Sequence, residues 1–388
     1  MLAGLFYLDK PPPARELDDT APYIVPNASR PPYDILLQIF NNVLEPKERW
    51  NFTPESHLVP FLLVNKWWSM TAHERLYRSI SLGQSSDKPA QYLLSTLESN
   101  PRLAALILEL RLGTIRHDRI ETRNYISILN RCPNVIHIQI SGYSGYELGS
   151  YRASLQRKSL VSFTVSRYGL SNMISVGFCT PAQLLQMMSG WPRLKNLVLY
   201  KHTLVDGSIG HHNYNRCCPH LREIMFQDGN FADDDALFAF SKAAPSVEKV
   251  SLHMSPLFCF WTTPAIESVL QSWSESLRSL SVSSTSTHFQ INSIFPQLKN
   301  LEYLQASSLI LAASALRDAV PNLSTFHYHA TCAALQELTL AVHMPTFLPS
   351  LKLLTVLPLH PGRENFPEGL IASLSATCAN RTIQLVIS

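Results

Sequence analysis

A short phrase of apolar and polar residues recurs along the chain from about residue 100 onward. In its clearest form it reads proline, any residue, an apolar residue, two polar residues, an apolar residue, any residue and an apolar residue, as in PRLKNLVL from Pro192. The first apolar positions of successive copies lie 27, 26, 30, 21 and 25 residues apart. These positions are Leu194, Leu221, Val247, Leu277, Leu298 and Leu323. A period of this size indicates structural repeats that stack on one another.

Each repeat combines a strand pattern with a helix pattern. The last three residues of the phrase alternate between inward and outward positions, as a short β-strand does. Helices are predicted between the copies, at residues 87–99, 119–131, 181–189, 233–243, 264–273 and 310–319. Strand–helix units of this length join parallel strands by right-handed crossovers. The sequence therefore predicts an α/β fold: a curved solenoid with parallel strands on the concave face and helices and loops on the convex face.

The repeat pattern becomes less regular near the C-terminal end. A copy at Leu335 follows Leu323 by only 12 residues, and a copy at Leu351 follows Leu335 by only 16. A strand, a helix and two turns do not fit in 12 residues. These copies are therefore predicted to lack helices, with an antiparallel strand as one possibility. A helix near residues 367–379 and a closing strand in TIQLVIS complete the prediction.

A second feature lies at residues 31–82, where an apolar stripe at helical spacing precedes another apolar run and the pair Trp67-Trp68. Pro32 suits the start of the first helix, and Pro46 ends its pattern. The stripe consists of Ile35, Leu36, Ile39, Phe40, Val43 and Leu44. Three short helices this apolar cannot bury every ring among themselves, so part of their surface is expected to meet a partner or another domain.

The order of residues in this segment resembles the F-box family. The matching positions are Pro32, Asp34, Ile35, Leu36, Ile39, Phe40, Leu44, Leu62, Val64, Lys66, Trp67 and Ala72. In that family the module docks on the Skp adaptor subunit of a cullin-type ubiquitin ligase. The resemblance implies a Skp-binding surface made of Pro32, Ile35, Leu36, Ile39, Phe40, Leu62 and Trp67. A helical cap on the next domain is the alternative interpretation of the same pattern.

The recurring phrase resembles the leucine-rich repeats of the ribonuclease-inhibitor kind, which often follow an F-box as the part that reads the substrate. The two resemblances together divide the chain into three parts. Residues 1–30 form a proline-rich tail, residues 31–82 the helical module and residues 83–388 the repeat solenoid. Residues 10–32 hold seven prolines, a composition typical of a tether with little regular structure.

The outward positions of the repeats predict where a target protein binds. The predicted central row is Val198, Met225, Ser251, Ser281, Glu302, His327, Thr339 and Thr355. Together with its flanking rows it forms a mixed, nearly neutral surface, which suits a protein or peptide better than a phosphate-rich ligand. The residues expected to bind the target are Tyr200, Glu223, Lys249, His253, Glu302, His327 and His329. Basic residues at the strand starts are expected to form a solvated rim: Lys195, Arg222, Arg278, Lys299 and Lys352.

Composition narrows the classes of function. The net charge is only +3 and no basic run occurs, which gives no reason to expect binding to nucleic acid or to an anionic membrane. No stretch approaches eighteen uninterrupted apolar residues, and MLAGLFYLDK lacks the basic start of a signal peptide. Seven cysteines, an odd number, suit free thiols in the reducing cytoplasm or nucleus.

Signals for catalysis or metal binding are weak. A cluster of His211, His212, Cys217, Cys218 and His220 has ligand-type residues, but their spacing matches no zinc pattern. The Cys218-Pro219 pair repeats as Cys132-Pro133, so these cysteines are interpreted as core residues of the repeats. No constellation of acid, base and nucleophile stands out, and no cofactor motif occurs.

The sequence therefore predicts a non-enzymatic intracellular adaptor. Its helical module is expected to bind the Skp-type subunit and through it the cullin ligase core, while the repeats hold a target protein of unknown identity. One alternative is a repeat scaffold that binds proteins but never meets a ligase. The other is an enzyme acting on its own, which would need a catalytic constellation.

Overall fold

The alternation of apolar and polar residues in the repeated phrase produces the strands of the fold. We describe them in a computed structural model, for residues 31–44, 54–82, 88–114, 118–166, 177–200, 214–227, 234–254, 261–284, 289–360 and 366–387. Strands β1 to β12 span Ser79–Leu82, Glu109–Gly113, His137–Ser141, Ser162–Ser166, Asn196–Tyr200, Glu223–Gln227, Lys249–Met254, Ser279–Ser284, Tyr303–Ser307, Thr325–Ala330, Leu353–Pro358 and Gln384–Ile387.

Helices fill the stretches between the strands. Helices α1 to α11 span Tyr33–Leu44, Lys66–Arg78, Lys88–Ser99, Pro101–Leu106, Arg119–Arg131, Leu148–Gln156, Pro181–Ser189, Asp234–Ala243, Thr263–Ser272, Cys332–Val342 and Glu368–Asn380. Short 3₁₀ segments lie at Pro54–Leu63, Gly145–Glu147, Phe295–Gln297 and Ala313–Leu316. Within the described ranges, no helix is both long and apolar enough to cross a bilayer.

Contacts divide the chain into two compact units, Met1–His137 and Ile138–Ser388. In the first unit β1 pairs with β2 in parallel, and in the second the strands follow one another in chain order up to β12. Every strand pair from β4 to β12 is parallel. The predicted α/β fold of strand–helix repeats with parallel strands is therefore confirmed.

The predicted strand register holds in the middle repeats. Leu197, Leu199, Ile224 and Phe226 are buried, whereas Val198 lies on the opposite face of β5 and is half-exposed. The buried face packs against helices, as the ring contact of Phe226 with Phe240 of α8 shows, with 5.4 Å between centroids. We call the other side of β3 to β12, with its half-exposed side chains, the open face.

The register predicted for β9 was wrong by three residues. The phrase begins at Leu301 and not at Leu298, because Leu304 and Ala306 are the inward residues of the strand. Leu298, Leu301 and Leu304 all stand three residues apart, so the same leucines fit two registers. Phe295–Gln297 forms a 3₁₀ turn, and the buried Leu298 closes it.

The C-terminal repeats are also more regular than predicted. The copy at Leu335 is part of helix α10, whose buried Leu335, Leu338 and Val342 follow helical spacing. Without that copy, the interval from Leu323 to Leu351 is 28 residues, which has room for a strand and a helix. The expected loss of helices and the possible antiparallel strand were therefore wrong, since β11 pairs with β10 in parallel.

Most of the predicted helices are present, with α3, α5, α7, α8, α9 and α11 within one or two residues of their predicted bounds. The helix predicted at residues 310–319 is reduced to the 3₁₀ segment Ala313–Leu316. Threonines start three of the helices: the side chains of Thr180, Thr262 and Thr331 accept the backbone N–H three residues later. Such caps satisfy one of the unpaired amides at a helix start.

Repeats interlock through a hydrogen-bond pattern at the strand starts. The carbonyl of Lys195 accepts two backbone N–H groups of the next repeat, those of Arg222 and Glu223, each at 2.9 Å. The same position in later repeats does the same, at Arg222, Glu248, Arg278, Glu302 and Ser324. Glu302 is thus fixed at a strand start, which confirms the corrected register of β9.

The first unit has a small core of its own. Leu36 and Phe40 of α1, Leu58 of the 3₁₀ segment Pro54–Leu63 and Ala72 of α2 are buried together. The Phe40 ring lies 5.2 Å from the Phe61 ring and 5.8 Å from the Trp68 ring, measured between centroids. Strand β1 follows α2 directly and pairs with β2, so the predicted module boundary at residues 82–83 falls inside this unit.

Candidate protein-interaction surfaces

The open face presents ordered rows of side chains because the parallel register brings equivalent positions of neighbouring strands side by side. The central row is Val198, Met225, Ser251, Ser281, Gln305, His327 and Thr355. Gln305 takes the place predicted for Glu302, and Thr339 is not in the row, since it is buried in α10. Both corrections follow from the shifted register of β9 and from the helix at the supposed copy of Leu335.

Two of the predicted target-binding residues form an ion pair on this face. The Lys249 ammonium lies 2.6 Å from Glu223 Oε1, and the Asn196 side-chain amide donates to Glu223 Oε2 at 2.8 Å. The pair spans β6 and β7 and is partly exposed, so it adds little to the free energy of unfolding. Its main effect is to neutralise the two charges with each other.

A polar and aromatic group of side chains occupies β8 to β10. The Tyr303 ring lies 5.3 Å from the His327 ring, and the Tyr303 hydroxyl donates to Gln305 Oε1 at 3.3 Å. The Ser281 hydroxyl donates to the same oxygen at 3.3 Å, and Gln305 Nε2 lies 3.2 Å from His329 Nε2. We call Ser281, Tyr303, Gln305, His327 and His329 the imidazole cluster.

Sequence reasoning placed His327 and His329 correctly on this face but missed Tyr303 and Gln305. The shifted register put Glu302 and Leu304 there instead. The alternation of Leu304 and Ala306 with polar residues was the sequence signal for the correct register, since small apolar residues such as Ala306 also occupy inward strand positions. Burial lowers the pKa of His327. The pKa of His329 is also lowered, mainly by burial and to a smaller extent by the nearby His327.

The remaining predicted target-binding residues lie apart from this cluster or off the face. Tyr200 ends β5 and is half-exposed, and His253 on β7 has its Nδ1 at 2.5 Å from the Ser283 hydroxyl. Glu302 is exposed at a strand start, where the Arg278 guanidinium donates to its carboxylate at 2.6 Å.

The rim predicted to be basic is partly neutralised. Arg222 and Glu248 pair at 3.1 Å, as Arg278 and Glu302 do at 2.6 Å. Lys299 does not belong to this row, because the strand start of its repeat is Glu302. The carboxylates of Glu248 and Glu302 thus offset the charges of Arg222 and Arg278 but not those of Lys195 and Lys352.

The helical module places its predicted Skp-binding residues in two environments. Leu36 and Phe40 are fully buried in the local core. The other predicted positions reach the surface to different degrees. Ile35 is 46% exposed, Pro32 is exposed, and Ile39, Leu62 and Trp67 are half-buried. The Trp67 indole donates to the Pro31 carbonyl at 3.1 Å, which ties the start of α1 to α2.

Further apolar side chains of the module are exposed. Leu63 is 86% exposed, and Val64 and Met70 are also exposed. Met70 lines a groove of about 490 Å³ together with Tyr33, Trp67 and Leu103. Burial and a hydrogen bond to Glu74 raise the pKa of Tyr33 to about 12, so its hydroxyl stays protonated in the groove.

The histidine–cysteine cluster is only partly within the described residues, since His211 and His212 lie outside them. Cys217 and Cys218 have their sulfur atoms 4.0 Å apart, and Cys218 is buried with its thiol 3.3 Å from the Met188 carbonyl. Cys132 is buried at the matching position of an earlier repeat, as predicted for core thiols. The described side chains contain no group of three or more metal-ligating residues.

Comparisons with known proteins give weak resemblances. No protein-family model and no curated protein matches the sequence. The crystal structure of the TLR13–ssRNA13 complex matches with a TM-score of 0.39 and 18% identity, over 67% of this chain and 33% of that one. The crystal structure of the Rad7 and Elc1 complex in yeast matches with a TM-score of 0.33 and 12% identity, over 75% of this chain and 74% of that one. This chain spans about a third of the length of the TLR13 chain. TM-scores of 0.39 and 0.33 are too low to support a conclusion about function.

Proposed function

We propose that the protein is a non-enzymatic adaptor that holds a target protein on the open face of its repeats. The module of α1 and α2 docks it on the Skp-type subunit of a cullin ubiquitin ligase. The observation that carries this proposal is the neutrality of the open face. Among its described residues from β3 to β12, Glu223 and Lys249 carry the fixed charges, and they pair with each other.

A neutral face of this kind favours a protein over a nucleic acid as its ligand. Binding to a phosphate backbone draws most of its affinity from lysine and arginine contacts. The open face offers hydroxyl, amide, imidazole and phenol groups instead, and uncharged polar groups of this kind suit the polar rim of a protein interface. Its aromatic members, Tyr200 and Tyr303, supply the contact area that anchor residues need.

The docking half of the proposal rests on the exposed apolar side chains of the module. Ile35 and Leu63 are exposed while Leu36 and Phe40 are fully buried, and exposed apolar side chains on a small helical unit favour a site of protein contact. The resemblance of the sequence to the F-box is the reason for proposing the Skp-type subunit as the partner. The groove lined by Met70 and Trp67 gives the module a concave element as well.

Co-purification of the full chain with a Skp-type subunit tests the proposal. Ile35→Asp combined with Leu63→Asp places charges in the apolar contact and is expected to abolish co-purification, with thermal stability unchanged. Ile120→Asp is the matched control, because Ile120 is an exposed apolar residue of α5 outside the module. If the wild-type chain binds no Skp-type subunit but still captures a target, the protein is a scaffold without a ligase role.

A further inference from the structure

The imidazole cluster has a hydrogen-bond arrangement that fixes the protonation of one histidine. Gln305 Oε1 accepts hydrogen bonds from Tyr303 and Ser281, so its amide nitrogen faces His329 Nε2 at 3.2 Å. An amide nitrogen only donates, and His329 Nε2 must therefore accept. The ring hydrogen of neutral His329 then lies on Nδ1.

Protonation of His329 breaks this arrangement. The imidazolium carries hydrogens on both nitrogens, so its Nε2–H would point at the N–H of Gln305. His327 stands two residues away on the same face of β10, and a charge on either ring opposes a charge on the other. Burial and this repulsion lower the pKa of His329, while burial alone lowers the pKa of His327.

Among the residues that the structure describes, the groups that face the cluster supply no counter-ion. On β8 the neighbours are serines, on β9 Tyr303 and Gln305, and on β11 Leu353, Thr355 and Leu357. On β7, Lys249 is already paired with Glu223, and His253 is bonded to Ser283. Around the strand starts and ends lie the pair Arg278–Glu302, Lys352 and His360. The Glu337 carboxylate accepts a hydrogen bond from the Ser314 backbone N–H. Burial and then the charge of Glu337 raise the pKa of Tyr328, which points to the helix side.

Thus the open-face residues described on β8 to β11 include no carboxylate, although two imidazoles and a phenol converge there. A carboxylate from outside would complement this site, because it accepts hydrogen bonds from imidazole N–H groups. It would also provide the missing counter-ion for protonated His327 or His329. We propose that the imidazole cluster binds an acidic side chain of the target and takes up a proton as it does so. This proposal rests on the proposed target-binding function.

Proton uptake makes the binding pH-dependent in a defined direction. A carboxylate beside an imidazole raises the pKa of that imidazole in the complex above its lowered value in the free protein. The complex then binds more protons than the free protein, and affinity rises as the pH falls toward the pKa of free histidine. A rise of one pKa unit in a single imidazole corresponds to about a tenfold gain in affinity.

A capped hexaglutamate peptide, with a fluorescent label, serves as the probe for the full-length chain. Its carboxylates stay ionised at pH 5.5 because the pKa of glutamate is about 4.3. Fluorescence anisotropy is expected to show about tenfold tighter binding at pH 5.5 than at pH 7.5. The double variant His327→Gln with His329→Gln is expected to lose this pH dependence. His137→Gln, which changes an open-face histidine of β3, is expected to keep it.

Circular dichroism and thermal denaturation establish that the variants are folded. The proposal is overturned if the peptide fails to bind at both pH values, if the affinity does not change with pH, or if the double variant behaves as the wild type. Equal binding of capped hexaglutamine would also overturn it. Failure of the docking half of the proposed function would appear instead in the Skp-type co-purification, and failure of its target-binding half in loss of target capture. The histidine substitutions lie outside the helical module that the first of these measurements tests.

Discussion

At the scale of single residues, a shift of one position along a strand moves a side chain from the helix-packed core to the open face. Leu199 is buried beside Phe226 of the next strand, whereas Val198 between Leu197 and Leu199 is half-exposed. Two neighbouring apolar residues of similar size therefore contribute very differently to the free energy of unfolding.

Alanine substitution at both positions measures this difference. Leu199→Ala is expected to lower the free energy of unfolding by about 2–5 kcal/mol because it leaves a cavity between the sheet and the helices. Val198→Ala removes two methyl groups from the open face and is expected to cost under about 1 kcal/mol. Urea denaturation of the two variants provides the measurement. Equal costs would show that the strand register of β5 is off by one residue.

The same residue scale explains where sequence reasoning succeeded and where it failed. Inward positions such as Leu197 and Ile224 were predicted because one register fitted the alternation. At β9, leucines at three-residue intervals fitted two registers, and the wrong choice put Glu302 in the place of Gln305 and made Tyr303 an inward residue. The contacts between His329 and Gln305 could not be predicted at all, because they depend on which strands are neighbours.

At the scale of elements, a helix can be predicted from its pattern while the direction of its apolar stripe cannot. The stripe of α1 was predicted correctly, but sequence spacing does not say which members face the module core and which face solvent. The structure buries Leu36 and Phe40 against Phe61 and Trp68 and leaves Ile35 exposed. Helix α10 illustrates the opposite error, since its leucines at three-residue spacing also matched the repeat phrase.

This division within α1 predicts different effects for two substitutions. Phe40→Ala is expected to destabilise the module by about 3–5 kcal/mol, since it removes a buried ring that contacts two others. Ile35→Ala is expected to leave stability almost unchanged because Ile35 is exposed. Hydrogen exchange of α1 and α2 amides compares the variants. Unchanged protection in Phe40→Ala would contradict the core assignment and make Phe40 a partner contact after all.

At the scale of the whole molecule, the repeats provide a broad face and the module provides a separate small surface. The proposed target site therefore spreads over several strands, from Tyr200 on β5 to His329 on β10. In interfaces of this kind a few aromatic residues usually supply most of the binding energy.

Tyr200→Ala combined with His253→Ala is expected to weaken target capture by about 2 kcal/mol or more, while the Skp-type subunit still co-purifies. Quantitative mass spectrometry of proteins bound to the wild-type and variant chains measures this change. Leu340→Ala is the control, because Leu340 is exposed on helix α10 away from the strands. Loss of the same proteins with Leu340→Ala, but not with the double variant, would place target binding on the helix side.

The pairing of each strand with its immediate neighbours has a consequence for cooperativity. Local damage in one repeat reaches distant repeats only through the interfaces in between, so the chain need not unfold in a single step. Two buried indoles mark separate regions: Trp191 donates to the Leu155 carbonyl at 3.0 Å, and Trp273 to the Ala244 carbonyl at 2.8 Å. Each indole loses its hydrogen bond when its own pair of repeats separates. The emission of Trp191 and the emission of Trp273 thus report on the unfolding of two different regions, and one melting temperature need not describe both.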